Sequence, residues 1–263
     1  MLPALELDCE RETERITRFI QRELARAGRR RAILGLSGGI DSALACLLCE
    51  RALGADSVVA MALPHAISSP SSERDAQLLA DQLGITLTRC DITGMVAAAE
   101  QAYPDISDRR RGNLMARSRM MVLYDQSEAY DALVVGSSNR TEMLLGYFTI
   151  HADNAAAFRP LAHLYKCQVR QLTRHLGAPE VIVSKAPSAD LWEGQTDEGE
   201  LGFTYDQADE VLYYLTECEL TPAQVAERGV APAIVDAVWR RMHGSAFKRR
   251  EPASLPMANP IHR

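Results

Sequence analysis

The stretch Leu34-Gly35-Leu36-Ser37-Gly38-Gly39-Ile40-Asp41-Ser42 constrains this chain more than any other feature. It overlaps the end of a short apolar run, Ala32 to Leu36, and opens a segment of helical spacing, so it reads as the turn from a buried strand into a helix. Glycines there let successive backbone N–H groups point into one concavity, and the helix N-terminus adds about half a positive charge. Such a nest binds phosphate. Ser37 and Ser42 offer hydroxyls to the same oxygens, and Asp41 offers a carboxylate where a triphosphate brings Mg²⁺. A serine-capped helix after a tight turn is the ordinary alternative for a lone Gly-Gly. The whole string weighs against it, and it is neither the P-loop pattern nor the dinucleotide fingerprint.

The flanking pattern repeats the same alternation. A helix over Glu10 to Arg26 precedes the first strand, and helices are expected over Ser42 to Leu53 and Ser72 to Leu83, each closed by glycine. Strands are expected at Ser57 to Leu63, Ile85 to Cys90 and Ala132 to Val135. A further helix, Leu114 to Tyr130, follows the break at Gly112 and Asn113. Strands alternating with helices predict an α/β fold, a layered parallel sheet flanked by helices. Beyond Thr149 the pattern weakens. Helices return at Gln168 to Leu176, Tyr205 to Leu215 and Pro232 to Met242, and Ala186 to Phe203 reads as a long loop of the kind that is functional or disordered. A basic stretch and a Pro-bearing tail close the chain.

The 263 residues carry 29 Lys plus Arg against 35 Asp plus Glu, a net charge of −6, which argues against nucleic acid as the main partner. The longest apolar runs, Ala43 to Cys49 and Val58 to Leu63, are far short of the roughly 20 residues that cross a bilayer, so no membrane role is expected. Six scattered cysteines and no apolar leader predict a reduced, cytoplasmic protein. Cys46 and Cys49 form a Cys-x-x-Cys inside the helix after the glycine loop. Without a second pair at metal spacing they are read as small core residues.

The glycine-rich string resembles the ATP pyrophosphatase loop of adenylating amidases and thiolases. Further stretches resemble the ammonia-dependent NAD synthetases within that superfamily: Gly112 to Met120, Val135-Gly136-Ser137-Ser138-Asn139-Arg140-Thr141-Glu142, Gly146 to Thr149, Leu164-Tyr165-Lys166 and Pro187 to Glu198. The resemblance runs from about Arg31 to Arg250. It implies an adenine nucleotide alpha hydrolase-like (Rossmann-like) fold, and one domain over 1–263 with an N-terminal helix at about 10–27 and a C-terminal tail at about 244–263. The implied activity is ATP-dependent amidation of deamido-NAD by ammonia through an acyl-adenylate, with a homodimer as the working form. Nothing before Arg31 is long enough for a glutamine-hydrolysing domain, so ammonium is the expected donor.

By the same resemblance, Gly35 to Ser42, Ser137, Lys166 and Ser188 bind ATP, Asp41 and Glu142 hold Mg²⁺, and Asp41 and Lys166 serve catalysis. Arg119 and Lys248 bind the acceptor. Each has an ordinary alternative. Glu142 stands three residues after Asn139, as in a capping box; Lys166 resembles a solvated charge; Ser188 is a turn residue after Pro187; Arg119 fits a surface ion pair. Arg117 and Arg119 lie about 200° apart on a helix, so at most one of them faces a shared ligand. The chain departs from many family members at Ile150, Ala157 and Phe247, where Lys, Asp and His contact the acceptor. Another adenylating amidase or thiolase, or an inactive nucleotide sensor, therefore stays open as an alternative.

Overall fold

The structure is a computed structural model that describes residues 2–192, 194–252 and 254, so half of the expected tail and Glu193 lie outside the described residues. Helix α1 (Cys9–Arg26) starts where Asp8 accepts a hydrogen bond from Arg11 N, and buries Ile16, Ile20 and Leu24 at helical spacing. The chain then alternates through β1 (Arg31–Gly35), α2 (Ile40–Leu53), β2 (Val58–Ala62), α3 (Pro70–Leu83), β3 (Leu87–Arg89), α4 (Thr93–Ala102), α5 (Asp108–Ala129) and β4 (Ala132–Val134). All four strands are parallel, in the order β3-β2-β1-β4, with Ile33 opposite both Val59 and Val134.

Alternate strand residues feed two core layers. Ala32 and Leu34 pack with α1, α2 and the start of the chain's second half, whereas Ile33, Met61 and Val134 pack with Val96 of α4 and Met115 and Val122 of α5. Cys46 and Cys49 sit in the first layer with no exposure, and burial pushes the Cys46 thiol up to about 12, as expected of core residues. The second half forms α6 (Arg140–Leu145), α7 (Lys166–His175), α8 (Glu180–Val183), α9 (Asp197–Leu201), α10 (Tyr205–Thr216), α11 (Pro222–Glu227) and α12 (Pro232–Gly244). Residues of α6, α7 and α9 to α12 build a third apolar cluster beside the sheet. No helix among the described residues is long and apolar enough to cross a membrane.

Two expectations are corrected. Helix α5 starts at Asp108 and runs through Gly112 and Asn113, because Gly112 is buried in the helix where a Cβ would lie 3.1 Å from Leu191. Its missing side chain serves close packing rather than a break. The long segment from Ala186 to Phe203 also contains α9, whose first turn is capped by Thr196 through Gly199 N. Helices α4, α8 and α11 were not legible, being short and, in α4 and α11, burying one side chain each.

Candidate active site

The strand order reverses direction at β1. The chain moves outward from β1 to β2 and β3, then returns to place β4 on the other side, and ligands of open α/β sheets bind beyond the strand ends at such a point. The β1–α2 turn and the β4–α6 turn flank this crevice. The first is the glycine loop. Gly38 has φ +75°, and a Cβ there would meet the Ser72 carbonyl oxygen at 2.2 Å, so only glycine fits between the loop and α3. Gly39 caps α2 without any side-chain hydrogen bond, which leaves the first-turn amides of α2 facing the crevice. Ser42 is buried and braces the loop: its Oγ donates to Gly39 O (2.9 Å), accepts from Ser37 N (3.2 Å) and lies 3.0 Å from Ser37 Oγ. Ser37 is exposed at the mouth.

From the second turn comes Glu142. The capping box is real: Asn139 Oδ1 accepts from Glu142 N (2.9 Å) and Glu142 Oε2 accepts from Asn139 N (3.4 Å). Its other oxygen, Oε1, accepts from Lys166 Nζ at 3.0 Å, so the cap aims the carboxylate at the crevice instead of competing with a site role. Lys166 Nζ also donates to Asp41 Oδ2 at 2.5 Å, and Asn139 Nδ2 donates to Asp41 Oδ1 at 2.7 Å. The lysine side chain is 2% exposed, against 18% for Asp41 and 16% for Glu142, so the ammonium sits behind two carboxylates that keep an open side. Burial works against the lysine's charge, but the two carboxylates outweigh it and hold its pKa above the ordinary value. Burial, and then the charge of Asp41, push the Glu142 carboxyl well above the usual carboxylate range. Lys166 is therefore no solvated surface charge.

Asp41, Glu142 and Lys166 line one cavity of about 620 Å³ together with Gly35, Leu36, Ser137, Ser188, Arg119 and Lys248. Several of them are already engaged with the protein. Ser188 Oγ donates to Gln195 O (2.7 Å) and accepts from Asp190 N (3.1 Å), which folds the segment after α8 into a turn. Asp190 Oδ2 accepts from Ser69 N (2.9 Å) and ties that turn to the start of α3. Arg119 faces the cavity while Arg117 is exposed, and its Nε donates to Leu63 O (3.0 Å), so it is not a surface ion pair. Burial lowers its pKa, with Asp190 and Asp153 opposing. Lys248 Nζ donates to Gly146 O and Phe148 O, both at 2.8 Å, and braces the turn after α6.

The sequence reading assigns no role to a second carboxylate network. Asp197, at the start of α9, is buried and accepts from Tyr205 Oη (2.9 Å) and Tyr147 Oη (3.1 Å), and the Tyr205 ring lies 4.8 Å from Lys166 Nζ. The run Asp197-Glu198-Gly199-Glu200-Leu201 after Gln195 and Thr196 reads in the sequence only as loop polarity. Asn139 was legible as a cap alone, with no signal that it reaches Asp41.

The sequence model of NAD synthase matches residues 12–252. A relative named NH(3)-dependent NAD(+) synthetase from Chlorobium phaeobacteroides is 47% identical over 234 residues, covering 89% of this chain and 84% of the relative. Among solved structures, NMN synthetase from Francisella tularensis superposes with a TM-score of 0.85 at 29% identity, covering 96% of this chain and all of that one. NH3-dependent NAD synthetase from Campylobacter jejuni gives a TM-score of 0.82 at 32% identity over 95% of this chain and all of that one. The architecture is thus the adenine nucleotide alpha hydrolase-like α/β fold.

Proposed function

Because this chain belongs to the NAD synthase family, we propose how its cavity divides the work of amidating deamido-NAD at the expense of ATP. The activity is that of an ammonia-dependent carbon–nitrogen ligase. The observation that carries the residue assignment is the convergence of Asp41 and Glu142, from the two turns flanking the sheet's reversal, on Lys166 Nζ beside the bare N-terminus of α2.

The nicotinate carboxylate attacks the α-phosphorus of ATP, the α–β bridging bond breaks, and pyrophosphate leaves. Ammonia then attacks the acyl carbon, AMP departs and the nitrogen loses a proton. A carboxylate is a poor electrophile, whereas an acyl-adenylate carries a good leaving group. The amides of the glycine loop and Lys166 bind and neutralise the phosphates, with Ser37 and Ser137 at the rim, and no side chain need form a covalent bond. The turn holding Ser188 walls the cavity and limits water, which would hydrolyse the intermediate.

Asp41 and Glu142 fit Mg²⁺. Both are hard oxygen donors, both already converge on one cation, and both keep an open side. Among the described residues no cage of three or more His, Cys, Asp or Glu forms, so ATP oxygens would complete the ligand set. When bound, the ion supplies charge neutralisation at the phosphates. Arg119 and Lys248 serve the acceptor end. The whole chain acts as one catalytic unit, and its cytoplasmic placement is supported by buried, unpaired Cys46, Cys49 and Cys167. A homodimer through the outer face of α5 is supported by exposed Met121 and Tyr124.

The test is pyrophosphate and NAD formation by the purified chain with ATP, Mg²⁺, ammonium and deamido-NAD. Omitting ATP, Mg²⁺ or deamido-NAD should abolish both products, whereas omitting ammonium should abolish NAD and hold pyrophosphate to the single release of the adenylation step. The solved relative named NMN synthetase makes nicotinate mononucleotide the comparison acceptor. Pyrophosphate release independent of any nicotinate acceptor would overturn the assignment.

A further inference from the structure

The acceptor brings phosphates into the cavity, yet the three positions where polar contacts are missing do not face it: Ile150, Ala157 and Phe247 are absent from its lining, and Phe247 is 64% exposed. Six cations do line it: Arg109, Arg119, Lys166, Lys185, Arg241 and Lys248. Four are tied to acceptors of the protein itself. Lys166 is held by Asp41 and Glu142, Lys185 by Asp75 (2.7 Å), Arg119 by Leu63 O, and Lys248 by two carbonyls. Arg109 is exposed at the start of α5.

Arg241 differs from all of these. It projects from the last turn of α12, and its guanidinium lies over the Tyr147 ring, 5.4 Å from the centroid. That ring is fixed from its far end, because Tyr147 Oη lies within hydrogen-bond distance of Asp197 and Glu200. Arg241 Nε is buried without an acceptor, and no other N–H of the guanidinium meets one among the described residues. A desolvated donor left unpaired is costly, whereas the same planar fork matches two oxygens of a phosphate at once. Stacking on a fixed ring holds that fork in place before a ligand arrives, so little ordering is left to be done on binding.

We propose that Arg241 is the phosphate-reading residue of the acceptor site, supplying from α12 the charge that positions 150, 157 and 247 do not. The inference rests on the acceptor being a nicotinate nucleotide. It places the acceptor's phosphate against the Tyr147 wall, between the Asp41–Glu142–Lys166 cluster and Lys248.

The experiment compares Arg241→Gln and Arg241→Lys with the unaltered chain in steady-state kinetics, varying deamido-NAD and ATP separately, alongside thermal melts. The expected result for R241Q is a tenfold to hundredfold rise in acceptor KM with ATP KM within about twofold. Arg241→Lys, which keeps the charge and loses the fork, should fall between. Melting should be unchanged or higher, since the lost donor had no partner. An unchanged acceptor KM, a rise confined to ATP KM, or a melting point lowered by ten degrees would each overturn the proposal. If the unaltered chain releases no acceptor-dependent pyrophosphate, the functional reading falls and this inference with it; normal turnover with an indifferent R241Q removes only the inference.

Discussion

Gly38 and Gly39 stand side by side with different obligations. Gly38 combines a left-handed backbone with a Cβ position 2.2 Å from the Ser72 carbonyl oxygen, whereas a Cβ on Gly39 would meet only Ser37 Oγ at 3.3 Å. Gly38→Ala should therefore cost about 2–4 kcal/mol of stability and raise ATP KM, because the nest must move away from α3. Gly39→Ala should cost under about 1 kcal/mol, and urea unfolding of the pair separates the two. At Asp41, substitution by Asn keeps the shape and the hydrogen bond from Asn139 but turns a donor toward Lys166 Nζ. Turnover of Asp41→Asn should fall by on the order of a hundredfold or more at saturating Mg²⁺ while circular dichroism stays native. Full activity in that folded variant would remove Asp41 from the mechanism.

Short helices α6 and α7 present Glu142 and Lys166 only because a third helix ties their first turns together. Asp209 of α10 is 1% exposed; it accepts from Thr141 Oγ1 (2.5 Å) and Cys167 N (2.7 Å), and Thr141 Oγ1 accepts from Lys166 N (2.9 Å). Asp209→Leu would orphan these donors, and a loss of about 2–4 kcal/mol is expected in urea titrations, with turnover falling alongside. Burial raises the Asp209 pKa above its ordinary value against the pull of those hydrogen bonds. With the folded value above an unfolded value of about 3.9, the native state binds more protons in between. The stability this group contributes is thus fully present below about pH 4 and is lost as pH rises through the folded value. Asp209→Asn cannot titrate, so the advantage of the unaltered chain over it should shrink between pH 4 and pH 7; a difference that grows over that range would contradict the burial argument.

For the molecule as a whole, nitrogen supply is the sharpest test. Ammonium should sustain NAD formation by the purified chain, and glutamine with free ammonium scavenged should not; efficient glutamine-dependent synthesis would overturn the donor assignment. The parallel layers, the phosphate-binding turn and the helix after it were legible because their signals are local: glycines at a strand end, strand–helix alternation, and stripes such as Ile16, Ile20 and Leu24. Resemblance of short motifs named Glu142 and Lys166, but periodicity alone makes one a cap and the other a surface charge. Only the fold brings Lys166 to Asp41 across 125 positions and Asn139 to Asp41 across 98. The reason is the strand order: β4 returns beside β1, so two turns far apart in the chain open onto one crevice, and no local pattern encodes which strands become neighbours. The sequence by itself determined that a phosphate nest follows a buried strand. Tertiary structure alone decided which cations are satisfied by the protein and that Arg241 Nε is buried without an acceptor among the described residues, because pairing depends on what packs beside a side chain rather than on what precedes it.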